Sequence, residues 1–263
     1  MRLRISHDIA FAFDAPKRGL LQNLRLTPRS FEGLHVLDWR IDVDADCMLR
    51  HGEDAFGNLV HSFSLDQPAG TLAIHAGGEI DTFDVAGIVR GAPEKFPPEL
   101  FLRDTAATLA DAAVAALARD CAGGEPLETL HALMDRVHGD VALHDAPAGR
   151  TAGAVLAARQ GTAADMAHVF IAAARHLGLP ARYVAGYVLP EAGAALLGGW
   201  AEAHAGALGW IGFDPSIARC PEERHVRLAC GLDAEGAAVL RGNHAGVATG
   251  AVRLRQAYGQ RQS

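Results

Sequence analysis

The residues suited to chemistry lie in two segments of the second half of the chain. Thr162-Ala-Ala-Asp165 has the form of a helix capping box, and His168 follows three residues after Asp165. Asp214 precedes Pro215 in the other segment. Asp165 and His168 share one helix face, so a metal-dependent hydrolase that uses them with Asp214 is one hypothesis. We favour structural roles for Asp165 and His168, and predict no metal site.

The elements around these residues indicate an α+β arrangement. Three helices are predicted, over residues 106–117 and 127–141 and from Thr162 to Gly178, the last with an apolar stripe through Met166, Phe170, Ala173 and Leu177. Strands are predicted at 182–189, at 199–204 and 209–213 as a hairpin, and at 224–229 and 252–255. Helices followed by an antiparallel sheet are typical of the α+β class.

The first third of the chain is predicted to be a separate antiparallel β sandwich or barrel. Apolar residues alternate with polar ones over 3–13, 37–43, 59–65 and 72–76, which is the period of strands with one buried face. Asp54-Ala-Phe-Gly-Asn58 has the composition of a hairpin turn. The predicted organisation is a β domain over 1–90, a linker and helix over 91–125, and a core with C-terminal strands over 126–263.

Composition excludes several classes of function. The net charge of −7 is spread along the 263 residues, so we expect no nucleic-acid partner. No window approaches the roughly 18 consecutive apolar residues of a membrane helix, and the N-terminus reads as a strand rather than a signal peptide. The four cysteines lie far apart without a C-x-x-C pair, which suits a reducing cytoplasm. We predict a cytoplasmic protein with no membrane association.

Four segments, in order, resemble the bacterial transglutaminase-like family of papain-type cysteine hydrolases. Residues 156–187 resemble its nucleophile segment, which reads Gly-Val-Cys-x-Asp-Phe-Ala-His at the helix start. Residues 198–202 are similar to its His-Ala-Trp-Ala-Glu segment, and 209–215 match Gly-Trp-x-x-Phe-Asp-Pro. Residues 225–242 and the β-rich first third also resemble the family, which implies its N-terminal β domain and its core.

The resemblance places the family's catalytic cysteine on Ala163, its histidine on Gly198 and its aspartate on Asp214. A thiolate at a helix start, an imidazole and an orienting carboxylate perform acyl transfer in such a site. A methyl group and a glycine can do neither of the first two tasks. The residues expected to line the cleft are Thr162, Asp165, Trp200, Glu202 and Tyr187, and a core role stays open for Trp200 and Tyr187.

These residues favour a pseudoenzyme, without a cofactor, that keeps its cleft for a peptide or protein ligand or serves a structural role. Thr162 is interpreted as a helix cap rather than a substitute nucleophile. An amide or isopeptide hydrolase that uses other groups is the alternative, beside the metal-dependent one. The loop Glu191–Gly199 is apolar enough to cover the cleft. The sequence leaves the oligomeric state open.

Overall fold

A computed structural model describes residues 1–144, 150–191, 194–243 and 247–256. Two antiparallel sheets dominate its N-terminal part. The first has the order β15-β1-β6-β3 and the second β14-β2-β5-β4. Their strands are β1 (Arg2–Lys17), β2 (Leu20–Leu24), β3 (Leu34–Val43), β4 (Arg50–Glu53), β5 (Leu59–Leu65), β6 (Ala69–Thr82), β14 (Leu240–Gly242) and β15 (Val247–Gln256). The predicted β-rich first third is confirmed.

The turn between β4 and β5 forms as predicted. Asp54 Oδ1 accepts hydrogen bonds from the backbone N–H groups of Phe56 at 2.9 Å and Asn58 at 3.0 Å. Gly57 has a φ of 81°, in the left-handed region that glycine adopts without steric cost. The carboxylate therefore holds the hairpin closed at its tip.

The alternation predicted for 37–43 is interrupted at its first residue. The pairing of β3 with β6 shifts between Val36 and Asp38, so Leu37 is an extra residue and its side chain is exposed. Trp39 returns to the inward side. A β-bulge of this kind leaves no signal in apolar periodicity, which is why Leu37 was assigned to the wrong face.

The C-terminal strands return to the N-terminal sheets. β15 pairs with β1 from Leu3 to Ala12, and β14 pairs with β2. Both ends of the described chain therefore contribute to the same two sheets.

The first of the predicted helices begins later than expected, and the second agrees with the prediction. α1 (Ala112–Cys121) begins after Asp111, whose side chain accepts from the N–H groups of Ala113 and Val114. Leu109 precedes the helix and is exposed, so the prediction of a helix from Ala106 was wrong at that end. α2 (Pro126–Asp140) agrees with the prediction.

A short helix, α3 (Ala152–Ala158), precedes the predicted third helix, which is α4 (Ala163–His176). Thr151 caps α3 through the N–H of Ala154. β8 (Ala142–Leu143) and β9 (Gln160–Gly161) form a parallel pair on either side of α3. α3 was missed because seven alanine-rich residues carry too little periodicity to predict a helix.

The core sheet has the order β13-β10-β11-β12-β7. Its strands are β7 (Ile88–Val89), β10 (Ala181–Val188), β11 (Leu196–His204), β12 (Trp210–Phe213) and β13 (His225–Gly231). α4 packs on β10 and β11 and is also covered by α1, α2 and α3. All residues from Asp165 to Arg175 are therefore buried, and the expected single apolar stripe is instead a helix enclosed on every side. Among the described residues, none of the helices combines the length and apolar character that a membrane crossing requires.

Candidate functional site

The N-terminus of α4 has the predicted capping box. Thr162 Oγ1 accepts from the backbone N–H of Asp165 at 3.1 Å, and Asp165 Oδ2 accepts from that of Thr162 at 3.0 Å. These bonds satisfy two backbone donors that a helix start leaves free. Ala163 is the first residue of the helix. The Thr162 hydroxyl is occupied as a cap, as the sequence predicted.

Asp214 follows β12 and is buried. Its Oδ1 accepts from the backbone N–H of Ser216 at 2.9 Å and from the Ser216 hydroxyl at 2.6 Å. Its Oδ2 lies 3.4 Å from His225 Nε2. His225 Nδ1 accepts from the N–H of Glu222 at 3.3 Å, so a neutral ring carries its proton on Nε2 and donates it to Asp214. The carboxylate is therefore held by a histidine to which the sequence analysis assigned no role.

Two adjacent glycines, the third and fourth residues of β11, lie at the positions where the resemblance places a histidine and an alanine. A Cβ added at Gly198 would lie 3.0 Å from Leu196 Cδ1 and 3.0 Å from Val188 Cγ2. A Cβ at Gly199 would lie 1.8 Å from the Tyr183 hydroxyl oxygen. The Tyr183 side chain thus occupies the space that any side chain at residue 199 would need.

A cavity of about 680 Å³, here called the cleft, joins these elements. Ala163, Gly198, Asp214 and Thr162 all line it. The remaining wall is mostly apolar and includes Leu143, Ala185, Val188, Leu196, Leu197, Ile217, Val239 and Leu240. The structure therefore brings the three positions carried over from the family to one place. No cysteine is among the described residues that line the cleft.

Part of the segment Glu191–Gly199, which the sequence left able to cover or fill the cleft, contributes to its wall. Leu196–Gly199 is the beginning of β11, and these residues line the cleft together with Pro190. Ala192 and Gly193 lie outside the described residues.

Four residues expected to line the cleft lie elsewhere. Asp165 is buried behind the helix start, and Trp200 packs with Val184 and Cys230 on the sheet face away from α4. The Tyr187 hydroxyl lies 3.1 Å from His7 Nδ1 on β1. Both faces of this sheet are buried, so strand alternation in the sequence does not show which face borders the cleft.

Glu202 is the fourth, and it is the centre of a buried ionic cluster. Arg182 Nε donates to Glu202 at 2.7 Å, and Arg227 Nε donates at 2.8 Å. Burial alone would raise the pKa of Glu202, but the charges of Arg227 and Arg182 outweigh it and lower this pKa to about 2. Arg182 also lies 3.9 Å from the centre of the Trp210 ring, a cation–π contact. Glu202 therefore supports the sheet rather than the cleft.

His168 is a core residue, as predicted. Its Nε2 accepts from the backbone N–H of Ala234 at 3.0 Å, and burial lowers the pKa of its imidazole. Its Nδ1 and Asp165 Oδ1 are buried without a hydrogen-bond partner among the described residues. The pKa of the neighbouring Tyr183 hydroxyl is raised, mainly by burial. The negative charges of Asp214 and Asp165 raise it further.

The described residues contain no group of three or more histidine, cysteine, aspartate or glutamate side chains arranged to hold a metal ion. Each of the three residues of the metal hypothesis already accepts a hydrogen bond from the protein. Asp165 accepts from the N–H of Thr162, His168 from that of Ala234, and Asp214 from that of Ser216. In the described structure these three residues are therefore not arranged as a three-ligand metal site.

His144 is a residue of the cleft that sequence reasoning missed. Its backbone N–H donates to the Gly161 carbonyl at 2.8 Å, which places it beside the start of α4, and it lines the cleft. It follows the two-residue strand β8, which no periodicity predicts, so no sequence signal could have found it.

Comparison with known proteins agrees with this architecture. The bacterial transglutaminase-like N-terminal region matches residues 3–81, and the transglutaminase-like superfamily core matches residues 115–215. Together the two matches cover most of the chain, and it belongs to the bacterial transglutaminase-like family.

Individual relatives extend over nearly the whole chain. An uncharacterized protein of Mycobacterium leprae is 25% identical over 93% of this chain and 94% of its own length. An uncharacterized protein of Mycobacterium tuberculosis is 25% identical over 92% and 87%. A crystal structure from Cytophaga hutchinsonii, described as that of a candidate cysteine protease, superposes with a TM-score of 0.77. It is 20% identical and covers 99% of this chain and 92% of that one, so it shows a shared fold.

Proposed function

We propose that this chain is a catalytically inactive member of its family that retains the cleft for binding a peptide or protein segment. The observation that supports this most is the position of Ala163 and Gly198. Both line one cavity with Asp214, at the places where the resemblance puts the nucleophile and the base. Acyl transfer of the papain type requires a thiolate and a proton acceptor.

The threonine and serine hydroxyl groups of the cleft are poor replacements for the thiol. The Thr162 hydroxyl accepts from the backbone N–H of Asp165, and the Ser216 hydroxyl donates to Asp214. Neither is bonded to an imidazole, which is what activates a hydroxyl nucleophile.

The shape and lining of the cleft suit a bound segment. Its volume of about 680 Å³ lies within the range of ligand pockets, and its wall is mostly apolar with a few polar groups. An apolar wall of this kind contributes affinity by removing apolar ligand surface from water.

Amide hydrolysis by other groups is the competing function, and His144 is the observation that favours it. His144 is the single histidine among the described residues that line the cleft, and it lies beside the first turn of α4. An imidazole there has the chemistry to activate a water molecule. Replacement of His144 would abolish such hydrolysis.

Two measurements on the purified chain separate these functions. The first follows cleavage of a panel of peptide amides and esters by the chain and by His144→Ala; we expect the same background rate from both. Turnover that disappears in His144→Ala would overturn the proposal.

The second measurement is peptide binding to a cleft that is filled from within. Ala163→Trp places an indole in the cleft, and Ala116→Trp places one on the exposed face of α1 as a matched control. We expect Ala163→Trp to abolish binding of an array of nine-residue synthetic peptides and Ala116→Trp to leave it unchanged. Equal binding by both variants would exclude the cleft as the binding site.

A further inference from the structure

One edge of β11 is open over Leu196–Trp200. On one side, β10 pairs with β11 from Leu196 to Ala203. On the other side, β12 pairs with it only from Ala201 to His204. The beginning of β11 therefore has a neighbouring strand on a single side among the described residues, and the cleft lies beside it.

The register identifies the backbone groups that face the open side. The His204 N–H donates to the Pro180 carbonyl at 2.8 Å, and the β10–β11 register continues from there without a shift. Alternate residues of an antiparallel strand bond to opposite neighbours. The N–H and C=O groups of Leu197 and Gly199 therefore point away from β10, and no hydrogen bond joins them to another described residue.

Pro215 explains why β12 does not cover this edge. If the β11–β12 pairing continued for two residues beyond the pair of Ala201 and Phe213, Pro215 would lie opposite Gly199. Proline has no N–H and cannot donate the hydrogen bond that this pair requires. The chain instead turns back, and Asp214 and Arg219 exchange backbone hydrogen bonds of 2.8 and 3.2 Å.

Exposed apolar side chains surround the open edge. Large apolar residues that line the cleft are between 40% and 57% exposed, namely Leu143, Leu196, Leu197 and Ile217. Several such residues in one place are typical of an interaction surface. An apolar segment seated here would remove them from water.

The cleft is suited to an uncharged ligand, because the described part of its lining offers no free charged side chain as a partner. Asp214 is the one aspartate, glutamate, lysine or arginine among the described lining residues, and Ser216 and His225 already bind its oxygens. A charged ligand group would lose hydration in the cleft without gaining a free partner of opposite charge.

We propose that an extended, uncharged peptide adds to the core sheet along the open edge of β11. Its backbone bonds to Leu197 and Gly199, and its alternate side chains enter the cleft. This inference rests on the proposed function and specifies its ligand and binding mode. Strand addition takes affinity from main-chain hydrogen bonds and selectivity from pockets for alternate side chains.

Backbone methylation of the ligand tests this mode without changing the protein. Peptides of the nine-residue array that bind are remade with a single N-methyl group at each position in turn. Because one hydrogen bond contributes about 1 kcal/mol, methylation at alternate positions should weaken binding about fivefold or more. The intervening positions should tolerate it.

A pair of protein variants tests the same contact from the other side. Leu197→Pro removes an N–H that points to the open edge and breaks no bond to β10, whereas Leu197→Ala shortens the side chain and keeps the N–H. We expect the proline variant to bind at least about fivefold more weakly than the alanine variant. Thermal unfolding shows whether Leu197→Pro folds; if it does not, the methylation pattern decides.

The outcomes separate this inference from the proposed function. Binding that is blocked by Ala163→Trp but indifferent to the position of methylation overturns strand addition and leaves the proposed function standing. Absence of binding by every peptide overturns both. Concentration-dependent dimerisation that Leu197→Pro abolishes, with no peptide binding, assigns the edge to a second copy and overturns the peptide ligand.

Discussion

Replacing Glu202 by glutamine is expected to destabilise the fold by about 3 to 5 kcal/mol. The Glu202 carboxylate is 1% exposed and lies between the guanidinium groups of Arg182 and Arg227. Glutamine preserves the shape of the side chain but removes its charge. Arg227 then has no carboxylate partner among the described residues, and Arg182 keeps only Glu94, which is 36% exposed. An uncompensated buried charge is the costly state.

The pKa of Glu202 gives an independent magnitude. This pKa falls from 4.5 to about 2 on folding, because the charges of Arg227 and Arg182 outweigh the effect of burial. The ionised carboxylate therefore stabilises the fold fully above pH 4.5, and this contribution is lost as the pH falls towards 2. The difference between the two pKa values corresponds to about 3 kcal/mol, which agrees with the estimate for the substitution.

Urea denaturation at pH 7 and at intervals down to pH 3 measures both effects. Glu94→Gln is the matched control, because Glu94 binds the same Arg182 at 2.8 Å but is 36% exposed. We expect that control to cost less than about 1 kcal/mol. The difference in the free energy of unfolding between the wild type and Glu202→Gln should decrease as the pH falls below 4.5. A cost for Glu202→Gln no greater than that for Glu94→Gln, or a gap independent of pH, would refute the reasoning.

Three further predictions concern the cleft and the contact of His7 on β1 with Tyr187 on β10. Ala163→Cys should give a thiol whose pKa lies below the usual value of about 8.5. Iodoacetamide should therefore label residue 163 rapidly already at pH 7, and the pH profile of an ordinary thiol would contradict this. Gly199→Ala should cost at least about 2 kcal/mol in urea denaturation, because its Cβ would overlap the Tyr183 hydroxyl, and an unchanged midpoint would exclude that overlap. Burial lowers the pKa of His7 from 6.5, so stability should fall as the pH drops below 6.5, and His7→Gln should flatten that slope in thermal unfolding.

The parts of the site that could be predicted depend on local sequence. Thr162 and Asp165 lie three residues apart, and a capping box forms from that spacing alone. The hairpin that carries Gly198 and Asp214 follows from two alternating runs around a turn. Such features need no knowledge of distant contacts, and each is present in the structure.

The parts that could not be predicted depend on residues far apart in the chain. His225 reaches Asp214 because β13 pairs with β10 and brings its first residue beside the end of β12. His144 reaches the cleft through the two-residue pair of β8 and β9. The sequence left Trp200 in the cleft or in the core, because the parity of a strand does not show which of its sides faces α4.

The motif residues present in this chain divide by the contacts that they make. Asp165 closes the α4 cap, Glu202 neutralises two buried arginines, and Asp214 binds Ser216 and His225, so each supports the fold whether or not a reaction occurs. Ala163 and Gly198 make no side-chain hydrogen bond, and a cysteine or histidine there would serve chemistry alone. A change in the first group therefore removes bonds that stabilise the fold, whereas a change at Ala163 or Gly198 removes no such bond. These bonds therefore do not depend on the residues at positions 163 and 198, which is why the motif pattern identifies the architecture even in a chain that, as we propose, carries out no reaction.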